Sequence, residues 1–247
     1  MVMQLRNPEV LFSLLPRKYL NMDSRTFNES GKPTLLFIMG FGNRFDSATV
    51  GWMIDRLTDA GYRVHAVQFP TDITDFEREY RRPVQRLHDE HEPAGIVGHS
   101  LGGLVAAFLE TSAKEVYLSP WWGIYEAKVS AWERWLVLRL PFRARILPIK
   151  TRREELGVHV SDHEWEQLPK RISPVFITEI YRAQQTRPSI SNDAVVFASL
   201  SDTIVSLHAI GTAVSSDQIR LYDGKHQLFS ASDRHEVIDE VVAVLPA

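Results

Sequence analysis

Residues 95–110 read GIVGHSLGGLVAAFLE, an apolar run that stops at Gly98-His99-Ser100-Leu101-Gly102 and resumes as a helix-forming stretch. A strand that turns at once into a helix holds the turn residue, Ser100, in a strained backbone conformation and lifts its hydroxyl above the end of the strand. Side chains two positions to either side would collide with the flanking elements, so Gly98 and Gly102 are required by geometry. As a bare pattern Gly-x-Ser-x-Gly is weak, and an ordinary serine in a glycine-rich turn is the competing reading. Its place between a strand and a helix gives it weight.

The same alternation continues on both sides. Runs at 34–40 (TLLFIMG), 62–69 (YRVHAVQF), 95–99 (GIVGH), 115–119 (EVYLS), 194–199 (AVVFAS) and 218–222 (QIRLY) predict strands. Most are continuously apolar, which predicts cover on both faces. Val50, Met53, Ile54 and Leu57 fall on one face of a helix that Gly61 can close. Phe76, Tyr80, Val84 and Leu87 mark a second helix, which Pro83 should kink or delay. Asp233 and Glu236 have the spacing of a capping box, followed by a buried stripe of Val237, Ile238, Val241, Val242 and Leu245. The first 30 residues carry no clear period and read as an irregular arm or one short extra strand. Alternating strands and helices predict an α/β fold: a mostly parallel sheet of six or more strands with helices on both faces. Ligands bind beyond the carboxyl ends of such strands, so chemistry is expected just after each one.

One interval breaks the rhythm. Residues 121–187 separate the fourth and fifth of these strands, far more chain than a crossover needs. They read as an insertion into a core formed by 1–120 and 188–247. The insertion holds 12 Lys and Arg against 8 Asp and Glu, a charge of +4, while the remainder carries −7. It also holds Trp121, Trp122, Trp132, Trp135 and Trp165, five of the six tryptophans.

Among the 247 residues there is no Cys, which removes disulfides, thiolate metal sites and cysteine nucleophiles together. A net charge of −3 gives no electrostatic reason to bind nucleic acid. The N-terminal run LFSLLP is too short for a signal-peptide core, and no 18 consecutive apolar residues occur, so a cytoplasmic protein without a transmembrane segment is expected. His88 with His91, and His159 with His163, have helical spacing but lack a third ligand, so no metal is expected. No nucleotide-binding glycine pattern is present, so no cofactor is implied.

A serine hydroxyl attacks at neutral pH only if a base takes its proton and a third group orients that base. His226 stands directly after the last strand, and Asp202 directly after the one before it. In chain order the three candidates are Ser100, Asp202 and His226. A surface histidine and a helix-capping aspartate are the competing readings. Asp193 and Asp217 precede their strands and so fall at the opposite edge, and Asp223 is too close along the chain to orient His226 easily. His208 and His235 fall in helices, and His99 is expected to pack away from the site. An oxyanion needs two aimed donors. The turn supplies the N–H of Leu101. The loop after the first strand, with Gly40 and Gly42, supplies the N–H of Phe41, and the Asn43 side chain is a lesser candidate.

Taken together, GHSLGG, SLSD, GKHQLF and MGFGN resemble the α/β-hydrolase superfamily of serine hydrolases, of the esterase, monoacylglycerol lipase and S33-type peptidase kind. The resemblance covers residue 33 to the end, apart from the insertion. It implies Ser100 as nucleophile, Asp202 as acid, His226 as base, an oxyanion donor at Phe41, and a cap or lid at 121–187. Met39 stands where relatives commonly carry His, and the usual pair of antiparallel leading strands is not evident. The expected activity is hydrolysis of a small-molecule carboxylic ester with an apolar acyl group. The same parts would serve an acyltransferase, thioesterase or amidase, and a non-catalytic binding module of this fold is a further alternative. The mixed aromatic, aliphatic and basic stretch WERWLVLRLPFRARILPI, cut by Pro141 and Pro148, reads as an acyl-pocket wall or a self-packed cap core. Its segments are short for an amphipathic surface helix, which makes membrane contact the less favoured reading.

Overall fold

The computed structural model describes residues 22–128 and 130–247, so the apolar run LFSLLP lies outside the described residues. Its strands are β1 (Asp23–Phe27), β2 (Thr34–Ile38), β3 (Arg63–Gln68), β4 (Gly95–His99), β5 (Lys114–Leu118), β6 (Leu147–Pro148), β7 (Arg171–Ile172), β8 (Val195–Ala198) and β9 (Ile219–Leu221). The helices are α1 (Ala48–Asp59), α2 (Arg82–His91), α3 (Leu101–Ala106), α4 (Ala131–Val137), α5 (Asp162–Gln167), α6 (Pro174–Thr186), α7 (Leu207–Ala213) and α8 (Arg234–Val244). Seven strands form one sheet in the order β1-β3-β2-β4-β5-β8-β9, parallel throughout except for β1 against β3.

The continuous apolar runs are buried on both faces because successive side chains point to opposite sides of a strand. Leu36, Ile38, Ile96, Tyr117 and Val196 join one core with α3 and α6. Leu35, Phe37, Val97, Val116 and Phe197 join the other with α1 and α8. Each fully buried side chain of this kind contributes about 1.5–3 kcal/mol, so neither helix layer is dispensable. The α1 stripe of Val50, Met53, Ile54 and Leu57 is buried as its spacing predicts, and Gly61 at φ +99° ends the turn.

Several details refine the sequence expectation or depart from it. The delay expected at Pro83 takes a particular form: a π-helical turn at Glu77–Arg81 comes first, and the α-helix α2 starts only at Arg82, with the proline in its first turn, where a missing N–H is tolerated. In line with the short extra strand that the sequence allowed, the described part of the first 30 residues contains the antiparallel strand β1, tied to β3 by Thr26 Oγ1 and His65 Nδ1 at 2.8 Å. β9 is an edge strand with Leu221 exposed, not a covered one. Asp233 is the N-cap residue of α8 but makes no side-chain cap. Its carboxylate accepts instead from the Asp223 N–H, so the expected capping box does not form.

The sheet reverses its winding between β2 and β4: β3 lies on one side of β2, and β4, β5, β8 and β9 on the other. Loops leaving the carboxyl ends of β2 and β4 therefore diverge and leave a crevice between them. Those loops carry Phe41 and Ser100.

The inserted segment is fastened to this edge at three places. Glu164 of α5 accepts from Thr49 N (2.9 Å) and Thr49 Oγ1 (2.8 Å) at the start of α1, while its other oxygen closes a capping box with Ser161. Ser173, the N-cap of α6, donates to Asp72 at 2.7 Å. The stretch 155–159 bonds along the loop that bears His226, through His226 N to Glu155 O (3.2 Å) and Gln227 N to Leu156 O (2.8 Å). Burial opposes ionisation of Glu164, but its hydrogen bonds to Ser161 and Thr49 outweigh it and hold the carboxyl below the ordinary range. Glu164→Ala removes an N-cap supplied from 115 residues away and is expected to lower stability by about 1–2 kcal/mol. Urea denaturation measures it, and a change within about 0.3 kcal/mol would show that the link contributes nothing.

Candidate active site

Ser100 sits between β4 and α3 with φ 52° and ψ −114°, the strained turn that its sequence setting demands. A Cβ on Gly98 would come within 2.9 Å of Gly103 Cα, and one on Gly102 would strike the Ile38 carbonyl, which explains both glycines. Leu101 opens α3, so its N–H has no intrahelical acceptor.

Three side chains on separate loops meet here. Ser100 Oγ lies 2.8 Å from His226 Nε2, and His226 Nδ1 lies 2.8 Å from Asp202 Oδ2. The second oxygen of Asp202 accepts from the N–H groups of Ile204 (2.7 Å) and Val205 (3.2 Å). Its carboxyl is fully buried; desolvation alone would raise its pKa, yet His226 and the two N–H groups hold it below the ordinary range. The helix after this loop is capped by Ser206, so Asp202 is not engaged as a helix cap.

The loop after β2 is shaped by Asn43. Its Oδ1 accepts from Gly40 N (3.0 Å), and Asn43 N in turn bonds Gly40 O (3.2 Å), leaving Phe41 at the tip of the turn beside Ser100. Gly42 has φ +75° and sits against Leu168 and Pro169 of the insertion. Met39 is fully buried in the core and brings no polar group to the site.

His99 does not turn away from the site. Its ring is buried 5.2 Å from the His226 ring and edge-on to Phe229, and its Nδ1 shares a 3.0 Å hydrogen bond with Asn43 Oδ1. It thereby links the nucleophile turn to the Phe41 loop. Burial, and then the neighbouring His226, holds the His99 imidazole well below its usual pKa. The unfolded chain takes up a proton near pH 6.5 that folded His99 refuses, so this group lowers stability progressively as pH falls below about 6.5. His99→Gln is expected to reduce the slope of unfolding free energy against pH in that window by up to about 1.4 kcal/mol per pH unit. Denaturation at a series of pH values measures it, and equal slopes in the two proteins would refute it.

The other histidines are engaged elsewhere. His88 bonds Thr111 and Asp89, His91 stacks on His65 with ring centroids 3.7 Å apart, and His163 bonds Gln167. His208 and His235 lie in α7 and α8. Among the described residues, no three His, Asp or Glu side chains converge as a metal site would require.

Ser100 and His226 open onto a cavity of about 540 Å³. Its far wall is the insertion, through residues such as Val137, Leu147, Leu168, Ile172, Phe176 and Ile177. The inner face of the insertion thus lines a space instead of packing only on itself. Sequence reasoning passed over two residues here. Trp121 Nε1 and Gln227 Oε1 are buried without a hydrogen-bond partner among the described residues, and both side chains border the cavity. Adjacency marks them: Gln227 follows His226, and Trp121 lies just beyond β5. A second, open hollow of about 810 Å³ lies at the opposite strand ends, near Arg81, Glu115 and Asn192, away from Ser100.

A serine at a strand-to-helix turn, at the winding reversal of a parallel sheet, is the arrangement of the α/β hydrolases. Residues 36–240 match the alpha/beta hydrolase family model, and the chain belongs to that family. No curated protein sequence matches the chain. Among solved structures it resembles the monoacylglycerol lipase of Paleococcus ferrophilus, with 17% identity and a TM-score of 0.72 over 91% of this chain and 99% of that one. A soluble variant of the monoglyceride lipase of Saccharomyces cerevisiae, in complex with a substrate analog, gives 14% identity and a TM-score of 0.70 over 90% and 91%. An esterase from Exiguobacterium antarcticum gives 12% and 0.60 over 90% and 94%. At these identities the likeness is one of fold.

Proposed function

We propose that the protein hydrolyses carboxylic esters with apolar acyl groups, through an acyl-enzyme on Ser100. The reading is carried by the continuous hydrogen-bonded line from Ser100 Oγ through His226 to a buried Asp202, at the floor of a largely apolar cavity. Ser100 Oγ attacks the ester carbonyl carbon as His226 Nε2 takes its proton, and Asp202 fixes the imidazole and stabilises its charged form. The N–H groups of Phe41 and Leu101 hold the tetrahedral oxyanion. Collapse breaks the bond to the leaving alkoxide, which receives the proton from His226. Water then repeats the cycle on the acyl-serine and releases the acid.

The part of 121–187 that precedes α6 serves as the cap; its apolar inner face, with the cavity-facing side of α6, receives the acyl chain and keeps water from the acyl-enzyme. Trp121 Nε1 and Gln227 Oε1 pair with polar groups of the substrate, since buried polar atoms rarely remain unpaired. Lipases and an esterase among the structural neighbours support the ester class.

A p-nitrophenyl ester series of rising chain length tests the reading. Hydrolysis is expected to favour short to medium chains and to fall by at least about 10³-fold in His226→Ala. A fluorophosphonate probe is expected to label the native chain but not Ser100→Ala. Comparable rates in the two proteins, or labelling that survives loss of Ser100, would reject the assignment. Product analysis with an added alcohol or thiol acceptor separates hydrolysis from acyl transfer.

A further inference from the structure

Between residues 131 and 150 the insertion turns an unusual surface outward. Trp132 is 67% exposed and Trp135 56%, and Leu136, Phe142 and Ile146 are exposed with them. Five of the eight large exposed apolar side chains among the described residues therefore fall within 15 consecutive positions. α4 buries none of its residues, although a capping box of Ser130 and Glu133 secures its start. Apolar surface gathered in this way on a polar molecule marks a contact surface.

The charge on the same stretch indicates what it contacts. Residues 131–150 carry Arg134, Arg139, Arg143, Arg145 and Lys150 against Glu133 alone. Arg145 is turned inward to Asp72, and Lys150 pairs with Glu133. Arg139 and Arg143 are exposed, with the Arg139 guanidinium 3.9 Å over the Trp135 ring. Tryptophan with arginine at its side suits the boundary between lipid headgroups and acyl chains, where the ring enters and the cation stays at the headgroups. The remainder of the chain, at −7, is repelled by an anionic surface, so the molecule would approach such a surface with the insertion foremost. No helix among the described residues is long and apolar enough to cross a membrane, so the contact would be peripheral.

We propose that residues 131–150 dock the protein on an anionic lipid bilayer, with Trp132, Trp135 and Phe142 in the interface and Arg139 and Arg143 on the headgroups. The position of the patch gives the contact a purpose. Arg134, Leu136, Val137 and Leu138 also border the cavity above Ser100, so the docked face includes the cavity rim. An ester dissolved in the bilayer would pass to the serine without crossing water. This route rests on the ester-hydrolase reading above; the docking itself does not.

The test is flotation of the full chain, carrying Ser100→Ala so that turnover plays no part, with phosphatidylcholine vesicles lacking or containing phosphatidylglycerol. The protein is expected to float with the anionic vesicles and to be released by salt. Each arginine at such a surface contributes about a five-fold factor, so Arg139→Gln with Arg143→Gln should weaken partition by about 25-fold on anionic vesicles and hardly at all on neutral ones. Trp132→Ser with Trp135→Ser should weaken it by at least about 10-fold. Circular dichroism checks that these exposed substitutions leave the fold intact. Absence of flotation on either vesicle overturns the proposal, as does flotation untouched by both pairs of substitutions. A concentration-dependent dimer that the tryptophan pair abolishes, without vesicle binding, also overturns it and identifies a second copy as the occupant. Ester turnover by the native chain without vesicle binding of the Ser100→Ala chain would refute the docking alone, and vesicle binding with no turnover by the native chain would refute only the catalytic reading.

Discussion

Asp202→Asn is expected to lower kcat toward p-nitrophenyl esters by about 10⁴-fold while leaving KM nearly unchanged. The substitution keeps the shape of the side chain but changes what it can accept. Asp202 uses one oxygen for the N–H groups of Ile204 and Val205 and the other for His226 Nδ1. An asparagine in the same place satisfies the two backbone donors with its carbonyl and so must turn its NH₂ toward the imidazole. His226 would then offer a lone pair at Nδ1 and carry its proton on Nε2, the atom 2.8 Å from Ser100 Oγ. A protonated Nε2 cannot take the serine proton, and the developing imidazolium would face an amide instead of a carboxylate. Substrate binding depends on the cavity walls, which the substitution does not touch. Steady-state kinetics of the two proteins decide it, and a loss smaller than about 10-fold would mean that Asp202 does not orient the base.

Gly102→Ala is expected to remove about 3 kcal/mol or more of stability and most of the folded protein at moderate urea. The added methyl would strike the main-chain carbonyl of Ile38 in β2, with Met39 O behind it. A flexible side chain could swing aside, but a carbonyl held in the centre of a parallel sheet cannot. α3 would have to lift from β2, carrying Ser100 and Leu101 with it. Gly51→Ala in α1 provides the control: nothing lies within 4 Å of the new methyl, so the better helix former should add about 0.5–1 kcal/mol. The same chemical change should therefore have opposite signs at two helical positions. A neutral result at Gly102 would mean that the close approach of α3 to β2 is not needed.

Much of the site was legible because the chemistry of this fold follows its strands. Continuous apolar runs locate β2, β3, β4, β5 and β8 to within about two residues at each end. Once the strands are parallel, whatever follows each one lies at a single edge, so Ser100, Asp202 and His226 could be selected with no knowledge of distances. The same rule puts Phe41 at that edge, since its glycine-flanked loop leaves β2. The α1 stripe was equally plain, as interactions three and four residues apart are a local record. The gap in the strand rhythm marked out 121–187 as a block, but its last helix, α6, packs into the core beside α3, which no local pattern reveals.

What remained hidden involves partners distant in sequence. Asp233 has the spacing of a capping box, yet its carboxylate accepts from the N–H of Asp223, across the loop that carries His226, and not from the first turn of its own helix. The inward turn of His99 depends on Asn43, 56 residues earlier, and the anchor from Glu164 to Thr49 spans 115. β1 is mostly exposed and shows no apolar run, because an edge strand is held by its ladder to β3 more than by burial. The short pieces of 131–150 argued against a surface role when read as helices, but their outward tryptophans emerge only once the insertion is folded.

By itself the sequence determined the layer order, the strained serine turn and the edge where the three polar residues gather, because periodicity and strand polarity are properties of neighbouring residues. Only the tertiary structure decided which side of the insertion faces the cavity, how the buried carboxylates are satisfied and where His99 points, because those outcomes depend on which distant surfaces fit together when the chain closes.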